Sequence, residues 1–180
     1  MPLSSAGTIF AARGELSFLA ELARAAYHLR VDANPSDGID SNEWPSLLFS
    51  VDPAVDPSFA LAGQVLQLMN PSDFGTAGAA LQLDAGFFYT DGLENGIFTT
   101  SNAAALVARA ADALFISFRG TNDNTDLVED ALGQFDVHWA DFAALRSAVT
   151  AFVNNAANGI AHVYVTGHSL GASMVEAMMQ

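Results

Sequence analysis

A serine between two glycines, in Gly167-His168-Ser169-Leu170-Gly171, is the strongest chemical signal in this chain. The pattern G-x-S-x-G is typical of a nucleophile elbow, a sharp turn between a strand and a helix that exposes the serine hydroxyl. Such a turn needs small residues beside the serine, because larger side chains collide with the neighbouring backbone. The free N–H groups at the start of the helix that follows favour negative charge that develops beside the serine.

The residues on either side of this motif have the composition that an elbow requires. Residues 161–166 are rich in β-branched and aromatic side chains and predict a strand, and residues 172–179 predict a helix. The alternative is a tight Gly-Ser turn without chemistry. The strand–turn–helix context favours the elbow.

Further upstream, hydrophobic spacing predicts the elements that must position the elbow. It indicates amphipathic helices over 15–30 and 139–153. Residues 104–109 and 113–118 predict two strands joined by a turn, and the second is apolar on both faces, as in a buried central strand.

Two dipeptides, Asp91-Gly92 and Asn95-Gly96, have the composition of turns. The succession of strand, helix, strand, elbow and helix then predicts an α/β fold, with a largely parallel sheet flanked by helices.

Composition limits the class of protein. The chain has 180 residues, of which 51% are hydrophobic and 14% charged, as is typical of one globular domain. Its net charge of −14 disfavours nucleic-acid binding, and the absence of cysteine excludes a cysteine nucleophile. We expect no transmembrane segment, since no apolar run approaches the roughly 18 residues that a span needs. The first residues lack the features of a cleavable secretory signal.

Four segments make the chain similar to a known family. They are Ile116–Thr121, which ends in Arg-Gly-Thr, then Asp126–Asp130, Val137-His138 and Val163–Ala172. With these motifs the chain resembles the class 3 lipases, the fungal triacylglycerol lipase family of the α/β-hydrolase fold. The resemblance is specific over residues 104–180.

The resemblance implies roles for individual residues. Ser169 would be the acylated nucleophile, and the oxyanion hole would consist of Thr121, through its N–H and hydroxyl, and the Leu170 N–H. Residues 122–135 occupy the position of the family's lid, with Leu127 where the family usually has tryptophan. The implied protein is a secreted, extracellular lipase without an organic cofactor, which hydrolyses triacylglycerol or similar lipid esters at an oil–water interface.

Three other functions remain open on the same residues: a phospholipase, a short-chain esterase, and a catalytically silent module that binds lipid or protein. In α/β-hydrolases the acid and the histidine of the triad follow the serine along the chain. The eleven residues after Ser169 do not complete that triad. We therefore expect residues 1–180 to be the N-terminal part of a single catalytic domain, inactive alone, with the remainder in the same or a second chain.

The acidic segment 32–43 carries a separate signal, because its oxygen-bearing residues reproduce the spacing of an EF-hand calcium loop. Position six of that loop, which should be glycine, is Asp37, and Pro35 interrupts the segment. We favour a solvated loop over a structural calcium site. The calcium ligands of the alternative are Asp32, Asn34, Ser36, Asp40 and Glu43.

Overall fold

The computed structural model describes residues 2–27, 66–82, 84–85, 90–100, 103–119 and 135–179. Its helices are α1 (Ala6–Arg13), α2 (Glu15–Tyr27), α3 (Phe135–Asp141), α4 (Ala143–Asn154) and α5 (Leu170–Met178), with 3-10 segments at Pro71–Leu81 and Ala156–Asn158. Its strands are β1 (Gln67–Leu68), β2 (Asp84–Ala85), β3 (Thr90–Glu94), β4 (Ile97–Thr100), β5 (Ala103–Arg109), β6 (Ala113–Phe118) and β7 (His162–Gly167). Within these ranges, no helix has both the length and the apolar character to cross a bilayer.

The strands form a mixed sheet flanked by helices, in the order β2-β3-β4-β5-β6-β7, with β1 beside β5. The predicted α/β class is therefore confirmed, but the prediction of a largely parallel sheet is wrong for the described strands. Five of their pairings are antiparallel, and β6–β7 is the parallel one. The physical reason is the length of the connections: short turns join β3 to β4 and β5 to β6, and a short turn can only reverse the chain.

The turn between β3 and β4 contains Asn95 and Gly96, both with positive φ (47° and 81°), as a tight hairpin turn requires. A side chain on Gly96 would place its Cβ 2.9 Å from the carbonyl oxygen of Val107, so glycine is required there. The predicted turn at Asn95-Gly96 is confirmed. The one at Asp91-Gly92 is wrong, because both residues lie inside β3.

The helix predicted over 139–153 is two helices, α3 and α4, which meet at Phe142. The N–H of Phe142 donates to the Trp139 carbonyl at 3.3 Å, which closes a tight turn between them. This break buries the Phe142 ring completely, with its centroid 4.8 Å from that of Phe118 at the end of β6. The predictions for α2, β5, β6, β7 and α5 are confirmed within a few residues.

Two hydrophobic clusters cover the two faces of the central strands. On one face, Ile116 and Phe118 of β6 pack with α4 and with Met174 of α5. On the other face, Phe115 of β6 packs with α1 and α2, including Leu22. Every residue of β6 is buried, which confirms the interpretation of this strand as central.

Candidate active site

Strand β7 turns sharply into helix α5 at Ser169. The backbone of Ser169 has φ 56° and ψ −126°, a sparsely populated conformation for a residue with a side chain. Among the described non-glycine residues, positive φ occurs here and at Asn95 in the hairpin turn. Such a conformation costs about 1–3 kcal/mol and persists only where the surrounding packing enforces it.

The two glycines of the motif provide that packing. A Cβ on Gly167 would lie 2.5 Å from the carbonyl carbon of Gly171, so the two ends of the elbow touch each other. A Cβ on Gly171 would overlap the carbonyl oxygen of Phe118 and lie 3.0 Å from that of Arg119. The elbow therefore packs directly against the end of β6, and only glycine fits at either position.

The end of β6 and the end of β7 lie side by side, since Phe118 and Gly167 are partners in the parallel register. The chain that leaves β6 through Arg119 toward Thr121 thus starts at the same edge of the sheet as Ser169. Arg119 is buried, and its N–H donates to the Ala104 carbonyl at 2.9 Å. Thr121 itself lies outside the described residues, so its predicted role stays a prediction.

Leu170, the second predicted oxyanion donor, is the first residue of α5. The first turn is tight: the N–H of Gly171 donates to the His168 carbonyl at 3.0 Å and that of Ala172 to the Ser169 carbonyl at 2.8 Å. An N–H at the first position of a helix has no acceptor within the helix, and the helix dipole favours negative charge beside it. The Ser169 side chain is exposed and makes no capping hydrogen bond to α5.

The described histidines occupy other places. His162 begins β7, seven positions before Ser169, so the length of the six-residue strand at about 3.3 Å per residue separates it from the elbow serine. His138 is buried on α3 with its ring centroid 5.7 Å from that of Phe142. His168 precedes Ser169 in the elbow and is exposed, and His28 lies outside the described residues. A general base for Ser169 is not identified within the part of the chain that the structure describes.

Two hydroxyl groups near the ends of β6 and β7 were not predicted from the sequence to be important. Ser117 is completely buried and donates to the Leu22 carbonyl of α2 at 3.0 Å. Thr166 donates to the Leu19 carbonyl of the same helix at 3.3 Å. A lone serine in an otherwise apolar buried strand is the signal that sequence reasoning could have used, because a buried hydroxyl needs a partner.

Tyr164 is the titratable group of β7 with a perturbed pKa. Burial raises the pKa of its phenol, and the negative charges of Glu15 and Asp112 raise it further. Its ring stacks on Phe115 at 5.3 Å between centroids, on the face of the sheet that α1 and α2 cover. The phenol therefore stays neutral at physiological pH.

Two predicted features lie outside the described residues. They are the calcium candidates at 32–43 and the segment 122–134 of the predicted lid, which leads into α3 at Phe135. Among the described residues, no group of three or more His, Cys, Asp or Glu side chains is placed to hold a metal ion.

Comparison of this chain with protein-family models, with curated proteins and with solved structures found no match. The resemblance to class 3 lipases therefore rests on the motifs of the chain itself.

Proposed function

We propose that the chain is the serine-bearing part of a carboxylic-ester hydrolase of the lipase type. The observation that carries this proposal is the backbone of Ser169, strained at φ 56° between two glycines that pack against each other and against the end of β6. A tight turn without chemistry has no need of a side chain in a conformation that glycine adopts without cost.

In the proposed reaction, the Ser169 oxygen attacks the ester carbonyl while its proton passes to a general base. The carbonyl oxygen becomes an oxyanion, stabilised by the Leu170 N–H and by the N–H and hydroxyl of Thr121. Collapse of this intermediate releases the alcohol, which takes up the proton from the base, and leaves an acyl ester on Ser169. Water then attacks that ester by the same route and releases the fatty acid.

The base belongs, in this proposal, to the remainder of the catalytic domain, in the same or a second chain. Strand β7 supports this, because it is the last strand in the order of the described sheet and Val163 remains 39% exposed. An edge strand rich in β-branched residues is normally covered by another element. Beside it, a groove of about 320 Å³ between α4 and α5 is lined by Val149, Thr150, Val153, Asn154, Val163, Val165, Met178 and Met179.

The experiment that tests the proposal is covalent labelling of the full-length protein with an organophosphonate ester. Ser169 should carry the label, and Ser169→Ala should lose label and esterase activity together. Ser173→Ala is the matched control, because Ser173 is exposed on the same helix one turn further on. Label on Ser173, or activity that survives Ser169→Ala, refutes the assignment.

The choice among substrates rests on the resemblance. Triacylglycerol or similar lipid esters at an oil–water interface are the proposed substrates, and extracellular secretion is the proposed location. A phospholipase and a short-chain esterase use the same nucleophile, so relative rates on the three ester classes separate them. A silent binding module would not react with the phosphonate at all.

A further inference from the structure

Ser117 and Thr166 are direct neighbours across the parallel pair β6–β7, where they are partners in the register. Both hydroxyls donate to main-chain carbonyls of α2: Ser117 to Leu22 at 3.0 Å and Thr166 to Leu19 at 3.3 Å. Residues three apart in a helix lie about one turn from each other. A single turn of α2 is therefore bonded to both strands at the same level of the sheet.

Helix geometry does not require these bonds. Carbonyls inside an α-helix already accept the N–H of the residue four positions later, so Leu19 and Leu22 have partners without the two hydroxyls. The Ser117 position is completely buried among apolar neighbours, where an apolar side chain avoids the desolvation of a hydroxyl. The polar side chains are thus not explained by the needs of the helix or of the core.

Their position relative to the elbow gives another explanation. Thr166 precedes Ser169 by three residues, and Ser117 precedes Thr121 by four. Thr166 therefore lies within about 10 Å of Ser169 along the chain, and Ser117 lies one residue before the end of β6. The backbone hydrogen bonds between β6 and β7 fix the register of the two strands. The two hydroxyl bonds to one turn of α2 also restrain how the strand ends are oriented relative to each other.

We propose that Ser117 and Thr166 are positioning residues that hold the proposed nucleophile, Ser169, in its place beside the end of β6. The inference rests on the proposed function, since it concerns the same reaction. Its consequence is selective: loss of either hydroxyl lets the two strand ends shift, which lowers the rate of the chemical step and leaves ground-state binding of the ester nearly unchanged. Sub-ångström misplacement of reacting groups is costly in rate.

The test uses the full-length protein and a soluble ester. Thr166→Val keeps the shape of the side chain and removes the hydroxyl, and we expect kcat to fall about tenfold with KM within twofold of the unsubstituted protein. Ser117→Ala should have the same effect. Thr166→Ser retains the hydroxyl and should keep kcat. The double variant should cost no more than about either single one, because each change frees the same pair of strand ends.

Ser5→Ala is the matched control for stability. The Ser5 hydroxyl accepts the N–H of Thr8 at 3.2 Å and caps α1, away from the elbow. Its loss should lower the melting temperature by a few degrees, as loss of a cap does, with kcat unchanged. If Thr166→Val and Ser117→Ala behave like Ser5→Ala, the hydroxyls only stabilise the fold and the inference is wrong.

The rate at which the organophosphonate ester phosphonylates Ser169 distinguishes the positioning role from the proposed function. Labelling of Ser169 in the unsubstituted protein with an equal rate in Thr166→Val overturns the positioning role alone. No labelling of Ser169 in the unsubstituted protein overturns the proposed function and the positioning role together. Should Ser117→Ala fail to fold, the comparison of Thr166→Val with Thr166→Ser still decides.

Discussion

Replacing Gly171 by alanine tests whether the contact between the elbow and β6 governs the site. In the structure, a Cβ at this position overlaps the Phe118 carbonyl oxygen and lies 3.0 Å from the Arg119 carbonyl oxygen. Both atoms belong to backbone, which cannot rotate away as a flexible side chain would. Helix α5 must therefore move from the end of β6 by several tenths of an ångström.

The expected magnitude follows from two opposing effects. Alanine at a helical position is favoured over glycine by about 1 kcal/mol through backbone entropy. Overpacking against rigid neighbours costs about 1–3 kcal/mol, and the affected partners here are main-chain carbonyls, which favours the upper part of that range. The net loss of about 1–2 kcal/mol corresponds to a fall in melting temperature of roughly 2–8 °C for a chain of this size.

The effect on catalysis should be larger than this loss of stability. Ser169 and Leu170 move with α5, so the displacement separates the proposed nucleophile from the end of β6, which precedes the proposed oxyanion donor Thr121 in the chain. We expect kcat on a soluble ester to fall between about 10- and 100-fold, with KM changed much less.

Gly159→Ala is the control for this experiment. Gly159 has φ 66° and no atom within 4 Å of an added Cβ, so alanine there introduces conformational strain without a clash. It should lower the melting temperature by an amount similar to that of Gly171→Ala and leave kcat unchanged. Wild-type kcat and melting temperature in Gly171→Ala would refute the argument that the elbow is held against β6.

Four further predictions concern single features of the protein. Thr121→Ala keeps the N–H but removes the hydroxyl donor, so kcat should fall by about 10²–10³ with little change in KM, and a change below threefold contradicts the assignment. Replacing Leu132 and Phe135 by serine should flatten the rise in activity above the solubility limit of an ester and spare a soluble ester, whereas an unchanged rise excludes a lid at 122–135. Because burial raises the pKa of Tyr164, its phenolate is disfavoured in the folded state, so stability should be independent of this group below pH 10 and fall as the pH rises through the folded pKa. Melting curves of Tyr164→Phe should lack that part of the alkaline loss. Ser169→Gly relieves about 1–3 kcal/mol of strain against about 0.5–1 kcal/mol of added chain entropy, so its melting temperature should be higher than that of the unsubstituted protein, with activity abolished.

Local patterns in the sequence were sufficient to predict most individual elements. The apolar spacing in 15–30 predicts α2, and the β-branched run before the glycines predicts β7, because burial of one face decides these periods. The relative direction of the strands could not be predicted from the succession of elements alone. The short turns at Asn95-Gly96 and at Ala110–Asp112 force the strands that they join to be antiparallel. The prediction of a largely parallel sheet considered the order of the elements and not the length of these turns.

The break at Phe142 depends on tertiary packing and has no local signature, and the lone serine of β6 indicates that its hydroxyl needs a partner but not which residue that partner is. Phe142 leaves the helical pattern because its ring fills the space beside Phe118, although its spacing alone fits one continuous helix. Ser117 and Thr166 bond to residues 95 and 147 positions away in the chain. Contacts of such sequence separation are set by the assembled sheet, and no window of neighbouring residues encodes them.

The elbow differs from these features, because its sequence motif predicted its position and backbone contacts account for the two glycines of that motif. Gly167 and Gly171 are required by contacts with backbone atoms, one within the turn and one with the neighbouring strand. Ser169 is not required by any contact, and its conformation would be less costly for glycine. Packing thus explains both glycines of the motif and opposes its serine. Ser169 is disfavoured by stability and lies at an exposed position where two strand ends and a helix N-terminus meet, which supports the proposal that its hydroxyl is the nucleophile.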